Sequence, residues 1–393
     1  MTTALFLPDR VIATSPTDCA AHGGVLVADG LVVGLGTREE LLRVAPGAVE
    51  VPLPGCSVVP GFIDAHVHLA FDGSTDAVAR CMASSEESLI DVMARNARSL
   101  LRAGVTTARD LGAPGLSLSR LLSRVRESGA FAPDLVFAHA PITTPNGHLA
   151  FMGGGARDVA EALSLIDEQA VAGARWAKIM VNGGFTTSGS SPWHEQFSLP
   201  TLQAMVAHAH HLGLRAAAHV HSGAGIELAL DAGFDTLEHC TWLKEPADFT
   251  IDARVSQRIA ETATAVCPTI AVNTQHSKSW VRRKETVLAM LRAGIPIIAG
   301  TDAGIPDTPH GDYAAGLQAM TEVPMLPQEI LRAATVQAAS ALGLSDRGSL
   351  SPGERADLVV LRGDPLADPA AFASVEAVYL RGIETPLAEE TTR

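Results

Sequence analysis

The sequence predicts an α/β chain, a parallel (β/α)8 barrel of the TIM type joined to a small β-rich domain. Three observations carry this. Short apolar strands alternate with amphipathic Ala/Leu-rich stretches through the middle of the chain, the pattern of βα units and a parallel sheet. Both ends have a different texture, strand-like pieces cut by Gly, Pro and Asp. A length of 393 residues exceeds what one hydrophobic core serves efficiently, so a large domain with a smaller one is expected.

The elements follow in order. Near the N-terminus, Val25-Leu26-Val27 runs into Asp29-Gly30 and then Leu31-Val32-Val33-Gly34-Leu35. An Asp-Gly pair between apolar runs is a strong hairpin signal. Barrel strands are expected at Phe62–His66, Thr106–Asp110, Leu135–Ala138, Trp176–Val181, Leu214–His219, Thr236–His239, Ala265–Pro268 and Pro296–Thr301. Helical runs lie between them, at Glu87–Ala103, Val159–Ala172, Thr201–Leu212 and Gly225–Ala232. Eight strands suit a barrel, which occupies ~250 residues. The tail returns to strand texture, with Ala356–Leu361, a turn at Gly363-Asp364-Pro365, and Val375–Leu380. The expected division is therefore a barrel over residues 60–345 and a composite sheet domain from residues 1–59 plus 346–393.

Composition excludes several functions. A hydrophobic fraction of 47% with 18% charged residues describes a packed globular chain, not a disordered one. The net charge of −14 argues against nucleic acid, whose phosphates need clustered Lys and Arg. The densest basic cluster, Arg282-Arg283-Lys284, reads as a solvated helix start. No apolar run approaches the ~20 residues that cross a bilayer. Met1 to Asp9 has no basic region, so it is not read as a signal peptide. Cys19, Cys56, Cys81, Cys240 and Cys267 form no C-x-x-C pair and read as reduced, buried thiols of a cytoplasmic protein. The expected partners are a small-molecule substrate and further copies of the chain as a homo-oligomer, with neither nucleic acid nor membrane.

The chemistry lies at strand ends. His66 and His68 sit two apart on one strand, so both imidazoles point the same way, which is half of a metal site. Alone, H-x-H is also what two ordinary polar residues leaving a strand look like. Lys178 is one of only four lysines, and it alone lies inside an apolar strand, where an unpaired ammonium is costly. Such a lysine must lose its proton, gain a partner, or snorkel to a sheet edge. His219 and His239 each close a predicted strand, and Asp302 follows the last one. Catalytic groups of these barrels sit at the C-terminal strand ends. Each residue has a bland explanation by itself; their joint placement on one rim does not.

At this point the chain resembles the amidohydrolase superfamily, in its imidazolonepropionase-like and prolidase-like branch. The segments that carry the resemblance are Val59–His68, Ala103–Thr107, Ala177–Met180, Glu238–Thr241, Gly300–Gly304 and Gly353–Leu358. The resemblance implies a β-sandwich domain built from both termini beside the barrel, and a centre of two divalent metal ions, usually zinc. His66, His68 and Asp302 would hold the first ion, and His219 and His239 the second. Lys178, carboxylated by CO2, would bridge them as a carbamate, which turns a costly buried cation into an anion. Two ions would lower the pKa of a shared water towards ~7. The resulting hydroxide would attack a carbonyl carbon, with Asp302 as general acid/base towards the leaving nitrogen.

For substrate, the prolidase-like branch carries a Gly-Gly-His segment where this chain has Asn146-Gly147-His148, a departure at the first position. The resemblance makes His148 a substrate-binding candidate. His221, two beyond His219 on the same side, and His310 after the last strand are further candidates. The leading expectation is cleavage of an amide or peptide-type C–N bond in a dipeptide or N-acyl amino acid. Alternatives are a cyclic amidase of imidazolone or hydantoin type, or a lactone, ester or organophosphate hydrolase. Imidazolonepropionases typically work with one metal and lack the bridging lysine, so Lys178 favours the two-metal branch. A non-enzymatic scaffold would have lost ligands, and this chain keeps every one.

Overall fold

A computed structural model describes residues 3–13, 21–245, 248–272, 274 and 277–387. Cys19 and His276 lie outside them. The Asp-Gly signal is a hairpin: Gly24–Ala28 pairs antiparallel with Leu31–Gly36, and Ala28 faces Leu31 across the turn. Asp29 and Gly30 take φ of 52° and 79°, the positive values that a tight two-residue turn of matching twist needs.

Both ends of the chain meet in one eight-stranded sheet. The long strand Val49–Pro60 joins them, parallel to Ala4–Ile12 on one side and antiparallel to Leu358–Arg362 on the other. Val375–Leu380 and Ile383–Glu384 extend the sheet at the C-terminal side. The pairing is that of a single continuous sheet, not of two separately bonded layers. Phe6, Val25, Val58, Leu358 and Tyr379 share one packed face of it, and Leu5 and Leu26 lie on the other, against Leu41 of the helix Arg38–Val44. From Pro60 the chain passes through Gly61 straight into Phe62–Val67, so the sheet hands over directly to the parallel strands.

Seven parallel strands follow the expected positions to within a residue or two. Phe62–Val67, Val105–Asp110 and Asp134–Phe137 form one group, and Trp176–Met180, Arg215–Val220, Thr236–His239 and Ala265–Cys267 another. A parallel bridge, Ile142 to Ile179, lies at one junction of the groups; at the other, the stretch after Pro296 bridges to both, Ile297 to Val266 and Ala303 to Val67. The helices between them are amphipathic, as at Glu86–Arg102, capped by Ser85, whose hydroxyl accepts from Ser88 N–H.

The expected eighth strand, Pro296–Thr301, is not a regular strand. It keeps one parallel bridge, Ile297 to Val266, and a second follows just beyond it, Ala303 to Val67. Pro296 has no N–H to give a ladder. Gly300 is pressed so close to its neighbours that an added Cβ would lie 2.5 Å from Cys267 Sγ and 2.9 Å from His66 N. Asp302 then turns to φ 60°. Backbone bonds still hold this segment on both sides: Val266 N–H donates to Pro296 O and Ile298 N–H to Val266 O, while Ala65 N–H donates to Ala299 O and Asp302 N–H to His66 O. Among the described residues no helix is long and apolar enough to cross a membrane.

Candidate metal centre

Because side chains alternate across a strand, Lys178 shares a face with Trp176, and His219 with Ala217. Trp176 and Ala217 belong to a buried cluster with Ala265 and Cys267 beneath the polar groups. The strand ends then deliver their chemistry to one place. His66 Nε2 and His68 Nε2 lie 3.4 Å and 3.2 Å from the same oxygen, Asp302 Oδ1. His219 Nδ1 lies 3.0 Å from His239 Nε2, and His239 Nδ1 lies 4.0 Å from Asp302 Oδ2. Ligand atoms of His66, His239 and Asp302 lie within 4.8 Å of one another, and so do those of His219, His221 and His239. The five residues expected from H-x-H, His, His and Asp are thus together, with His239 common to both groups.

Lys178 is 1% exposed, and its Nζ has no hydrogen-bond partner among the described residues. Burial pushes its ammonium down to about 8, against the pull of Glu238 and Asp302. His66 is held at about 4, first by burial and then by Lys178; His219 and His239 are pushed well below the ordinary value, first by burial and then by neighbouring imidazoles. Neutral imidazoles are what metal ligation requires. Asp302 is the reverse case: burial alone would raise it, but His66, His68 and Lys178 together hold it ionised well below the usual carboxylate range. Strain is concentrated here, since His239 and Asp302 both take left-handed φ, 69° and 60°.

Behind the histidines stands a layer that strand-end reasoning missed. Glu238 accepts from Arg109 Nη2 at 2.8 Å through one oxygen and meets His66 Nδ1 at 2.8 Å through the other. Arg109 is fully buried; it also donates to Ala65 O and Thr236 Oγ1, and packs 4.4 Å from the Trp176 ring centre. Burial would raise Glu238, but Arg109 and His66 outweigh it and hold it at about 2. A carboxylate on Nδ1 fixes which His66 nitrogen is offered to a metal, Nε2. The equivalent restraints are Gly112 O on His68 Nδ1 at 3.0 Å and Thr269 Oγ1 on His239 Nδ1 at 2.9 Å. The signal for Arg109 and Glu238 was available: both are charged residues inside predicted strands, the same anomaly that singles out Lys178.

The centre opens on a cavity of ≈ 280 Å³ whose wall includes His68, Lys178, His219, His239 and Asp302. That is the scale of a site for a small molecule. His148 and His221 belong to the wall too. Asn146 takes φ 61°, a left-handed value that Asn tolerates where the family pattern has Gly. The His148 ring then lies tilted against His219, centres 4.7 Å apart, and burial depresses it to about 3. Two expectations fail. His310 is 3% exposed, turned inward by the short His310–Asp312 turn, and is no part of the cavity wall. Arg282-Arg283-Lys284 is not simply a solvated helix start, because Arg282 and Arg283 both line the cavity. The helix Trp280–Arg292 is packed against the strand-end loops, and Arg283 Nη2 donates to Pro268 O and Thr269 O.

Comparison with known proteins fits this geometry. Residues 57–383 match the model of the amidohydrolase family. The chain belongs to that family. It is a hydrolase acting on carbon–nitrogen bonds of the amide kind. It is 27% identical to the ochratoxinase of Aspergillus niger over 401 residues, covering 91% of this chain and 81% of that protein. It is 26% identical to the imidazolonepropionase of Salinispora arenicola (strain CNS-205) over 379 residues, covering 88% of this chain and 87% of that one. Among solved structures, a Xaa-Pro dipeptidase with methionine in its active site superposes with a TM-score of 0.86 at 22% identity, over 98% of this chain and 99% of that one. At that identity the likeness concerns the fold alone, the TIM-barrel type of this amidohydrolase.

Proposed function

We propose that this amidohydrolase is a two-metal enzyme that cleaves the amide bond of a dipeptide or N-acyl amino acid. One observation carries the reading: a lysine with a fully buried, unpartnered Nζ stands among four histidines and an aspartate. His66 Nε2 is likewise buried with no hydrogen-bond partner. Orphaned nitrogens beside neutral imidazoles and an ionised carboxylate fit divalent metal, with zinc the natural choice for so nitrogen-rich a set. His66, His68 and Asp302 would hold one ion and His219 and His239 the other, with a carbamate on Lys178 shared between them. His221 offers a further nitrogen to the second group.

Bound metal would supply Lewis acidity and an acidified water. The chain's own residues do the rest. Asp302, ionised and in reach of His66 and His68, takes a proton and returns it to the leaving nitrogen. Glu238 fixes the His66 tautomer and Thr269 holds the His239 ring in place, so the centre is built before substrate arrives. His148 and His221, both neutral, are placed to orient the substrate's polar groups from the cavity wall. The parallel strands are read as a closed eight-stranded barrel over residues 60–345, with residues 1–59 and 346–393 as the second domain. Free buried thiols at Cys56, Cys81, Cys240 and Cys267 support a reducing compartment, the cytoplasm.

The similarity to imidazolonepropionase supports a second reading, ring opening of a cyclic amide. Zinc-loaded protein assayed against dipeptides, N-acyl amino acids, hydantoin-type rings and lactones separates the two. Linear amides are expected to be the best substrates. A preference for the rings establishes the second reading, and a preference for lactones removes both.

A further inference from the structure

The cavity wall that carries the histidines also carries Arg282 and Arg283. Arg283 spends only Nη2 on the protein, on Pro268 O, Thr269 O and Thr269 Oγ1. Its Nε and Nη1 make no hydrogen bond among the described residues. Arg282 Nε is buried with no partner, and its guanidinium lies 5.6 Å from the ring centre of Phe249. Neither arginine forms an ion pair among the described residues. The one carboxylate of the described wall, Asp302, is already engaged by His66 and His68. Two guanidiniums facing a cavity with donors to spare call for an anion from outside, and the planar fork suits a carboxylate.

Distance narrows which carboxylate. Thr269 Oγ1 lies 2.9 Å from His239 Nδ1 and 3.3 Å from Arg283 Nη2, so one hydroxyl separates the guanidinium from the histidine cluster. In an N-acyl α-amino acid only the amide nitrogen and the α-carbon separate the scissile carbonyl from the carboxylate. A distal acid group on a longer spacer would overshoot. The remaining wall mixes apolar side chains, Phe71, Leu149, Met180, Leu243 and Ile305, with hydroxyls such as Thr186, Thr241, Ser277 and Ser279. We propose that Arg282 and Arg283 bind the α-carboxylate of the leaving amino acid. The substrate class is then N-acyl α-amino acids and dipeptides with a free C-terminus. This rests on the amide-hydrolase reading above.

The test compares N-acetyl-L-leucine with its C-terminal amide on the zinc-loaded enzyme. The acid is expected to exceed the amide in kcat/KM by about a hundredfold, the scale of charged hydrogen bonds. In Arg282→Gln, where the guanidinium makes no hydrogen bond among the described residues, that ratio is expected to fall at least about tenfold, chiefly through KM. Arg283→Gln is expected to reduce it as well. A second readout needs no turnover: N-butyl-L-leucine, which has no carbonyl to cleave, and its amide are titrated calorimetrically into the same proteins. Tighter binding of the acid, lost in Arg282→Gln, supports the proposal. Equal treatment of acid and amide by the wild type, or a ratio unchanged in both variants, overturns it and leaves the hydrolase reading standing. Failure of the metal-loaded wild type to cleave any linear amide overturns both.

Discussion

At the residue scale, function here depends on charges placed where charges are expensive. Lys178, Arg109 and Glu238 are all buried inside strands. Lys178 was legible in the sequence because a lone lysine in an apolar run has no cheap explanation. Arg109 and Glu238 obey the same logic, yet each sits next to a residue that draws attention first, Asp110 and His239. Their partnership is a contact between separate strands, which no local pattern encodes. Glu238→Gln tests what the pair does. Leaving Arg109 without its anion is expected to cost about 3–5 kcal/mol in urea unfolding. Zinc affinity, read by chelator competition, is expected to fall about 10–100-fold as His66 loses its anchor. A variant with unchanged stability and zinc affinity would show that Glu238 neither balances Arg109 nor positions His66.

At the scale of elements, periodicity found seven of the eight barrel strands and placed the helices between them, because alternation and amphipathicity are local signals. It over-read Pro296–Thr301 as a regular strand, an apolar run joined to its neighbours by an isolated bridge and separate backbone bonds. It also assigned Arg282 and Arg283 to solvent, since a charge run looks solvated until the packing of its helix is known. The left-handed turns at His239 and Asp302 were invisible, because neither residue type announces them. Gly300 explains how the irregular segment reaches His66. In Gly300→Ala the new methyl meets Cys267 Sγ and His66 N, and overpacking of this kind costs about 1–3 kcal/mol. Calorimetric melting is expected to show that loss together with weaker metal retention, as Asp302 is pushed from His66 and His68. Loss of stability with metal retention intact would mean the segment does not set the Asp302 position.

At the scale of the whole molecule, the fold without metal holds several imidazoles neutral against their nature. Burial leads in depressing His66 to about 4 and His148, His221 and His310 to about 3. Their folded pKa lies below the unfolded value of about 6.5, so the unfolded chain binds more protons and stability rises with pH. This stabilisation is complete above about 6.5 and is lost as pH falls from there towards about 3, at about 1.4 kcal/mol per pH unit for each histidine. His68, raised by Asp302 in spite of burial, acts with the opposite sign but only above about 6.5. Asp64 and Asp110, raised by burial to about 7 and about 6, oppose the histidines within this window and are outnumbered by them. Glu238 adds a second window, retained above its ordinary value of 4.5 and lost as pH falls towards about 2. The urea midpoint of chelator-treated protein is therefore expected to drop steadily from pH 7 to pH 5. A midpoint that holds or rises would mean that the histidines are not buried neutral together.

All three scales converge on Lys178, the cation with no partner at the middle of the cluster. The direct test is the metal content of purified protein by mass spectrometry, wild type against Lys178→Ala, both folded by circular dichroism. A shared carbamate requires about two ions per wild-type chain and the loss of at least one in the variant, with the same loss in wild type reconstituted free of CO2. Two ions held by Lys178→Ala would contradict the account, and the lysine's burial would then need another explanation.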